Sequence, residues 1–352
     1  TMALVPECDS AIEDIVNESI SSNDLDAPVA INLDRVDKLS DSIKTKIRDE
    51  FDEVLSLMGF RDMSHDIFRK WYVDGRIYYH KMVDSKNPKK GLQGLRAIDP
   101  QKIRKIREVE KKKDEKTQVE VIKNVEEYYL FNEQGFDKSG NNTGQTVRIH
   151  KDAVCHVTSG LLDYNKTIIV GYLHKAMKAV NQLRMLEDAL VIYRISRAPE
   201  RRIFYIDVGN LPKARAEQYL KEVQTSYRNK LVYNADTGEI KDDRKHMNML
   251  EDFWLPRREG GRGTEISTLP GGQNLGEIED ILYFQKKLYK SLNVPISRLE
   301  TETAFAIGRA TEISRDEVKF SRFIDRLRIK FSRLFDDILK TQLILKNIVT
   351  EE

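Results

Sequence analysis

The residues most suited to ligand binding form a glycine-rich stretch flanked by arginines. This combination can bind phosphate through backbone N–H groups and guanidinium charge. The stretch contains Gly260, Gly261, Gly263, Arg257, Arg258 and Arg262. A phosphate loop of nucleotide hydrolases also needs a Lys-Ser or Lys-Thr pair at the start of the next helix. No such pair follows here, so the pattern favours the tip of a β-hairpin.

A second glycine cluster precedes a predicted helix and is loosely similar to a dinucleotide-binding fingerprint. It consists of Gly271, Gly272 and Gly276. A true fingerprint joins a buried strand directly to a helix. Here the glycines follow Pro270, so a loop is the better interpretation.

The residues that could bind a metal or act as nucleophiles are scattered. Cys8 and Cys155 form neither a disulfide framework nor a zinc pattern, and His150 and His156 are spaced like ordinary strand residues. The chain has no H-E-x-x-H or G-x-S-x-G motif. We therefore predict no catalytic residue, metal site or cofactor. A metal-dependent nuclease, whose carboxylates would converge only in the fold, stays open as an alternative.

Composition excludes several classes of protein. The chain has 352 residues, enough for about two domains, with 59 basic and 57 acidic side chains and a net charge of +2. Proteins that bind DNA mainly through their overall positive charge have a larger excess of basic residues than this chain. No apolar run reaches the roughly 20 residues of a membrane helix, and no signal peptide is visible. Because the first residue is Thr1, we expect a processed or trimmed chain.

A basic run covers residues 101–116, with eight Lys or Arg against four Asp or Glu. Such a run is typical of nucleic-acid contacts, but also of a solvated hairpin or loop. The second interpretation, a solvated hairpin or loop, is favoured.

Apolar periodicity predicts an α+β organisation for the first 160 residues. The predicted helices are 9–20, 39–58, which ends at Gly59, and 64–72 with Ser64 as its N-cap. The predicted strands are 28–34, 76–83, 92–98, 119–131 and 146–157.

Long helices dominate the remainder. We predict helices at 170–196, 214–228, 277–292 and 316–348, short strands at 202–208, 230–233, 252–255 and 263–269, and an irregular segment at 296–315. The last helix has an apolar stripe from Phe320 to Leu339 and a basic opposite face that includes Arg322, Arg326 and Arg333. The fold class is therefore α+β, mainly α. Long amphipathic helices beside such a modest core suggest burial against other copies of the chain.

A resemblance to one protein family extends across nearly the whole chain and rests on several long sequence segments. They are RISRAPERRIFYIDVGNLPKARAEQYL (194–220), LVYNADTGEI (231–240), EDFWLPRREGGRGTEISTLPGGQNLGEIEDILYFQKKLYKSLNVP (251–295) and the tract 296–316. The sequence resembles the portal proteins of tailed bacteriophages, and is most similar to those of T-even myoviruses.

The resemblance implies a portal-type subunit with named parts. They are a wing (1–165), a stem helix (166–199), an α/β clip (200–272), a second stem helix (273–295), a tunnel loop (296–316) and a long helix returning to the wing (317–352). The family also has further N-terminal residues and a C-terminal crown, which implies a truncated chain.

The family's function implies a ring-shaped homo-oligomer of twelve copies around a channel for double-stranded DNA. The implied partners are the large terminase motor, neck and tail completion proteins, and the major capsid and scaffolding proteins. The implied location is the portal vertex of the virion, after assembly in the infected host at the inner face of its membrane. A nearly neutral subunit suits such a channel, because phosphate contacts repeated in twelve subunits would bind the DNA tightly and slow its passage.

Three groups of site residues follow from the resemblance. The tunnel-loop group is Arg298, Glu300, Glu302, Phe305, Gly308, Arg309, Glu312 and Arg315. The stem group is Lys286, Lys287 and Lys290, which either line the channel or pair with a neighbouring subunit. The clip group is Trp254, Arg257, Arg258 and Arg262, which either dock partners or form a seam between subunits.

Two other classes of function remain as alternatives. A packaging enzyme, such as a nuclease or ATPase subunit, would show turnover that follows the purified chain. A monomeric scaffold or adaptor would not form a ring.

Overall fold

The structure is a computed structural model, and it describes most of the 352-residue chain. The described residues are 2–20, 27–36, 39–113, 120–136, 145–164, 168–197, 201–226, 232–233, 240–241, 253–257, 265–269, 278–298 and 307–350. The chain divides into two compact units. The first combines residues 1–177 with 288–352, and the second is 178–287.

The first unit begins with three helices: α1 (Pro6–Ser19), α2 (Asp41–Met58) and α3 (Phe60–Asp74). Gly59 ends α2 with φ +60, the left-handed conformation that glycine adopts without steric cost, as predicted. The predicted start of α3 at Ser64 is wrong. Gly59 also serves as the N-cap of α3, and Ser64 is buried inside the helix.

The strand predicted at 28–34 is also wrong, since residues 27–36 contain no strand. Asn32 Oδ1 instead accepts a hydrogen bond from the backbone N–H of Asp34 at 2.9 Å. An Asx turn of this kind bends the backbone away from the extended form that a strand requires.

Two three-stranded antiparallel sheets complete this part of the first unit. They are built from β1 (Arg76–Val83), β2 (Leu92–Ile98), β3 (Ile103–Lys113), β4 (Glu120–Asn132), β5 (Thr146–His150) and β6 (Val154–Thr158). Their strand orders are β2–β1–β6 and β3–β4–β5. The basic run of 101–116 lies mostly in β3, so the hairpin interpretation is confirmed for the described residues.

The single strand predicted at 146–157 is in fact two strands in different sheets. A 3₁₀ turn at Lys151–Ala153 separates β5, which pairs with β4, from β6, which pairs with β1. The backbone N–H of Asp152 donates to His150 Nδ1 at 3.4 Å within this turn. A short turn therefore moves the chain from one sheet to the other.

The core of the first unit forms around the last helix, α7 (Ile307–Leu345). Its predicted apolar stripe is confirmed: Phe320, Phe323, Ile324, Leu327, Phe331, Leu334, Phe335, Ile338 and Leu339 are all buried. Phe331 contacts the rings of Phe68 and Trp71 on α3, with centroid distances of 5.0 and 5.4 Å. The first pair is edge to face and the second is tilted, and such contacts between rings stabilise the core beyond the burial of their area.

The start of α7 corrects the prediction of an irregular segment over 296–315. The helix begins at Ile307, so residues 307–315 are helical. Ala, Arg and Glu are good helix formers, and the stretch has no proline to prevent the helix from extending towards its N-terminus. Upstream, Ile296–Arg298 form a 3₁₀ turn.

The chain leaves the first unit through α4 (Met177–Arg197) and re-enters it through α6 (Glu279–Leu292). The helix predicted from residue 170 begins later than expected, because Tyr172–Ala176 form a 3₁₀ turn. Gly171 lies directly against the Val73 carbonyl, which fixes the backbone before this turn. Within the described residues, no helix combines the length and apolarity needed to cross a bilayer.

The second unit has an α/β fold, as predicted for the insert. Between α4 and α6 it contains β7 (Arg201–Asp207), α5 (Lys213–Ser226), β8 (Val232–Tyr233), β9 (Ile240–Lys241), β10 (Phe253–Arg257) and β11 (Glu265–Leu269). β10 runs parallel to β7, and β11 runs antiparallel to its other edge. Ile206, Val208 and Ala216 form the core between α5 and this sheet.

Candidate functional site

Arg298, the first residue of the predicted tunnel-loop group, is held by two carboxylates. Its guanidinium donates to Glu317 through Nε at 3.1 Å and Nη2 at 3.0 Å, and to Glu18 Oε1 through Nη2 at 2.9 Å. It also lies over the Phe320 ring, 4.6 Å from the centroid. The hydrogen bonds that Arg298 donates to Glu317 and then to Glu18 outweigh burial and raise the pKa of Arg298.

Three carboxylates, those of Asp14, Glu18 and Glu317, surround the Arg298 guanidinium. Burial raises the pKa of Asp14, the charge of Arg298 lowers it, and Glu18 and Glu317 raise it further. A guanidinium in this position already has its counter-charges. Arg298 therefore fixes the 3₁₀ turn to α1 and α7, and its charge is not free for a phosphate.

The other tunnel-loop residues divide into two groups. Glu300, Glu302 and Phe305 lie outside the described residues, as do the side chains of Arg309 and Glu312. Gly308, Arg309 and Glu312 belong to the first turns of α7, and Arg315 is exposed on the same helix. Their predicted roles stay predictions.

A charged groove lies next to Arg298, between the end of α6 and α7. Its volume is about 920 Å³. It is lined by Lys290, Asn293, Val294, Pro295, Ile296, Asp316, Lys319, Phe320, Arg322, Phe323, Asp325 and Arg326. All of these residues belong to the first unit.

The basic residues of the groove outnumber its acidic residues. Four cations line it, at positions 290, 319, 322 and 326, against Asp316 and Asp325. Lys319 Nζ lies 2.9 Å from Asp316 Oδ1, and Arg328 pairs with Asp325 at 3.5 Å. Both carboxylates are thus engaged, and the remaining cations make the groove a surface for an anion.

Only part of this site could be identified from the sequence. The sequence predicts Lys290 as a stem residue, and it shows Arg322 and Arg326 as part of a basic helix face without assigning them a role. Their spacing within α7, i and i+4, is the available signal. That Lys290 lies beside them, more than thirty residues earlier in the chain, is decided by the fold.

The two other stem lysines have different surroundings. Lys287 Nζ lies 5.2 Å from the ring centroid of Phe284 and 6.0 Å from that of Tyr283. A lysine over aromatic rings gains a modest cation–π attraction. Lys286 is exposed on the same helix and has a contact of its own.

Of the clip residues, Arg257 is the one whose side chain is described. Its Nη1 lies 2.9 Å from Glu265 Oε2, and its guanidinium lies 5.5 Å from the Tyr205 ring centroid. Trp254 is a residue of β10, and its side chain lies outside the description, as do Arg258 and Arg262. The Arg257 side chain thus reaches from β10 over Tyr205 on β7 to Glu265 on β11.

The described residues contain no group of three or more His, Cys, Asp or Glu side chains placed to hold a metal ion. Cys8 and Cys155 are buried and unpaired. Burial, and to a lesser degree the charge of Glu7, raises the pKa of Cys8 to about 11, so its thiol stays protonated near neutral pH.

A family model spans the whole chain and identifies the family. The model for the Bacteriophage T4-like portal protein (Gp20) matches residues 1–352. The chain belongs to this T4-like portal protein family. The resemblance stated from the sequence strings is therefore confirmed.

Two curated relatives agree with this assignment. The portal protein of Vibrio phage KVP40 is 47% identical over 356 residues, which cover 98% of this chain and 68% of the relative. The portal protein of Salmonella phage ViI is 38% identical over 364 residues, covering 100% of this chain and 65% of the relative. The chain therefore spans about two thirds of the length of these portal proteins.

Two solved structures match the chain at low sequence identity. One is the neck of a native GTA particle with C12 symmetry, at 12% identity and a TM-score of 0.49, covering 97% of this chain and 78% of that one. Another is an HK97 family phage portal protein from Corynebacterium diphtheriae, at 12% identity and a TM-score of 0.33, covering 89% and 83%.

Proposed function

We propose that this chain forms a ring of twelve subunits at one vertex of a phage capsid and conducts double-stranded DNA during packaging and ejection. The observation that carries the proposal is the match of the T4-like portal family over residues 1–352, together with 47% identity to a portal protein. In this role the chain is a structural channel without catalytic residues.

Exposed apolar side chains on α4 and α6 support self-association. They are Met185, Ile192, Leu282 and Tyr283, and the first and last are 72% and 61% exposed. Apolar side chains repeated along exposed helix faces are typical of surfaces that pack against other chains. Neighbouring subunits of the ring would cover them.

Light scattering and negative-stain images of the purified chain test the ring directly. We expect a particle with a central opening and about twelve times the 40.9 kDa mass of one chain. The double variant Met185→Glu/Tyr283→Glu should lower the assembled fraction while keeping the helical content. Met63→Glu, a change at another exposed apolar residue on α3, serves as the control. A wild-type chain that stays monomeric under all conditions would end this proposal.

The proposed partners are those of a portal vertex: the terminase motor and then neck and tail proteins at the clip, with capsid and scaffolding proteins around the wing. Arg257 is already paired with Glu265 in the described part of the clip. The sharper test is therefore Arg258→Glu/Arg262→Glu, which should weaken motor binding while rings still form. The proposed location is the portal vertex of the virion, and assembly at the host membrane stays a prediction of the family resemblance.

A packaging enzyme is the competing class of function. Assays of ATP hydrolysis and DNA cleavage across the purification separate it from a channel. Turnover that follows the protein peak, and not a minor contaminant, would favour the enzyme.

A further inference from the structure

We propose that the charged groove between α6 and α7 binds the phosphate backbone of double-stranded DNA through Lys290, Arg322 and Arg326. The inference rests on the proposed function, because it names the contacts that a DNA conduit would use. It also moves the predicted contact from Arg298 to these three residues.

The cations in and beside the groove differ in whether a carboxylate already neutralises them. Arg298 donates three hydrogen bonds to Glu317 and Glu18. Within the groove, Lys319 engages Asp316, and Asp325 is engaged by Arg328. Among the residues that the structure describes, Lys290, Arg322 and Arg326 have no carboxylate within ion-pair distance. They are the cations whose charge an added anion would neutralise.

Basic residues recur at a regular spacing along α7. The exposed residues Arg315, Lys319, Arg322, Arg326, Arg333 and Lys340 recur at intervals of three, four and seven, which places them on one helix face. At 1.5 Å per residue, successive cations in the groove are about 5–6 Å apart along the axis. A row of charges at this spacing suits an extended polyanion better than a single small anion.

Most of the apolar side chains that line the groove are buried within the subunit. Its apolar residues Val294, Phe320 and Phe323 are already at least 92% buried within the subunit, with exposures of 3%, 3% and 8%. Ile296 is half-buried, and the side chains of Lys290, Arg322 and Arg326 are exposed. The centres of protein–protein interfaces are depleted in charge and rich in apolar side chains. The groove therefore favours phosphate over a neighbouring subunit.

The contact expected here is weak and independent of sequence. Three cations per subunit bind phosphate through charge, and nothing in the groove is arranged to read base edges. Such binding weakens as salt rises, because each contact releases a counterion. A duplex could thus contact the groove and still move along the channel.

The test uses fluorescence anisotropy with a labelled duplex of mixed sequence, titrated with the assembled protein at several salt concentrations. The groove variant is Lys290→Gln/Arg322→Gln/Arg326→Gln. We expect at least a tenfold rise in Kd at low salt and, for each subunit that contacts the duplex, a decrease of about 2–3 in the slope of log K against log salt. The matched control is Lys46→Gln/Lys70→Gln/Arg61→Gln, which removes the same charge from exposed positions on α2 and α3.

Each result decides the proposal. A loss of affinity in the groove variant alone supports it. An equal loss in the control shows attraction to overall charge and overturns it, as does unchanged binding in both variants. If light scattering shows that the groove variant alone no longer assembles, the groove is an interface between copies and the proposal is wrong. A wild-type ring that binds no duplex also overturns it, while the ring proposal itself would stand.

Discussion

Arg298 and Glu317 form a bidentate ion pair, with Nε–Oε1 and Nη2–Oε2 distances of 3.1 and 3.0 Å. The two residues are nineteen positions apart, and Glu18 on α1 adds a third acceptor from the other end of the chain. The arginine side chain is 25% exposed. The pair therefore ties the turn before residue 299 to two helices of the first unit.

Replacing Arg298 by Gln should destabilise the protein. The change leaves Glu18 and Glu317 beside Asp14 without their common cation, so we expect a loss on the order of 1–2 kcal/mol in the free energy of unfolding. Urea denaturation measures it. Arg333→Gln, an exposed change on α7, should alter stability by less than about 0.5 kcal/mol. Equal stability of the two variants would contradict the structural role of Arg298.

Lys81 and Asp337 should respond unequally to substitution. The Lys81 ammonium is buried, 2.8 Å from Asp337 Oδ2 and 2.9 Å from Thr341 Oγ1, while the aspartate is half exposed. Asp337→Ala leaves a buried charge unpaired and should cost on the order of 2–3 kcal/mol. Lys81→Met removes the charge and keeps the aliphatic volume, so its cost should be smaller.

Urea denaturation of both variants, with Asp336→Ala as the control on an exposed neighbouring position, measures these costs. The control should stay within about 0.5 kcal/mol of the wild type. A Lys81→Met variant as unstable as Asp337→Ala would show that the ion pair itself, and not the isolated charge, determines the loss.

His156 should make stability depend on pH between 6.5 and 4. Its ring stacks on Tyr78 at 4.3 Å and meets Tyr129 edge to face at 5.9 Å. Burial, followed by the charges of Lys105 and Arg76, lowers the pKa of His156 from 6.5 to about 4. The unfolded chain therefore takes up a proton at a higher pH than the folded chain, and acidification favours unfolding over this window.

Between pH 6.5 and 4 the expected slope is up to about 1.4 kcal/mol of unfolding free energy per pH unit. The stabilisation from the neutral imidazole is fully present at pH 6.5 and above and is lost as the pH falls to 4. His156→Phe keeps an aromatic ring beside Tyr78 and should flatten this part of the pH profile. His150→Gln, at an exposed position, should keep the wild-type slope. An unchanged slope in His156→Phe would show that other groups cause the acid sensitivity.

Gly75 and Gly59 should differ in their tolerance of alanine. Both have positive φ, +71 and +60, so both variants carry the strain of a left-handed alanine. At Gly75 a Cβ would also lie 2.5 Å from the Val170 carbonyl oxygen, whereas nothing lies within 4 Å of one at Gly59. We expect Gly59→Ala to cost about 1 kcal/mol and Gly75→Ala at least twice that. Thermal unfolding of the two variants compares them, and equal melting temperatures would contradict the close approach.

Local pattern in the sequence determined the elements that repeat at a fixed period. The α7 stripe from Phe320 to Leu339, the left-handed end of α2 at Gly59 and the strands β1 and β2 were predicted, because periodicity and backbone preference act over a few residues. The same local reasoning failed for residues 28–34 and for the start of α3. In those places a side-chain turn and a shared glycine cap outweighed apolar spacing.

Tertiary structure alone decided which charges meet. No spacing rule pairs Arg298 with Glu18, 280 positions away, or Lys81 with Asp337, and both pairings change what these residues can do. The basic face of α7 was visible in the sequence, but its union with Lys290 in one groove required α6 to end beside it. Periodicity fixes a helix face locally, whereas the partner of each charge depends on the packing of the whole chain.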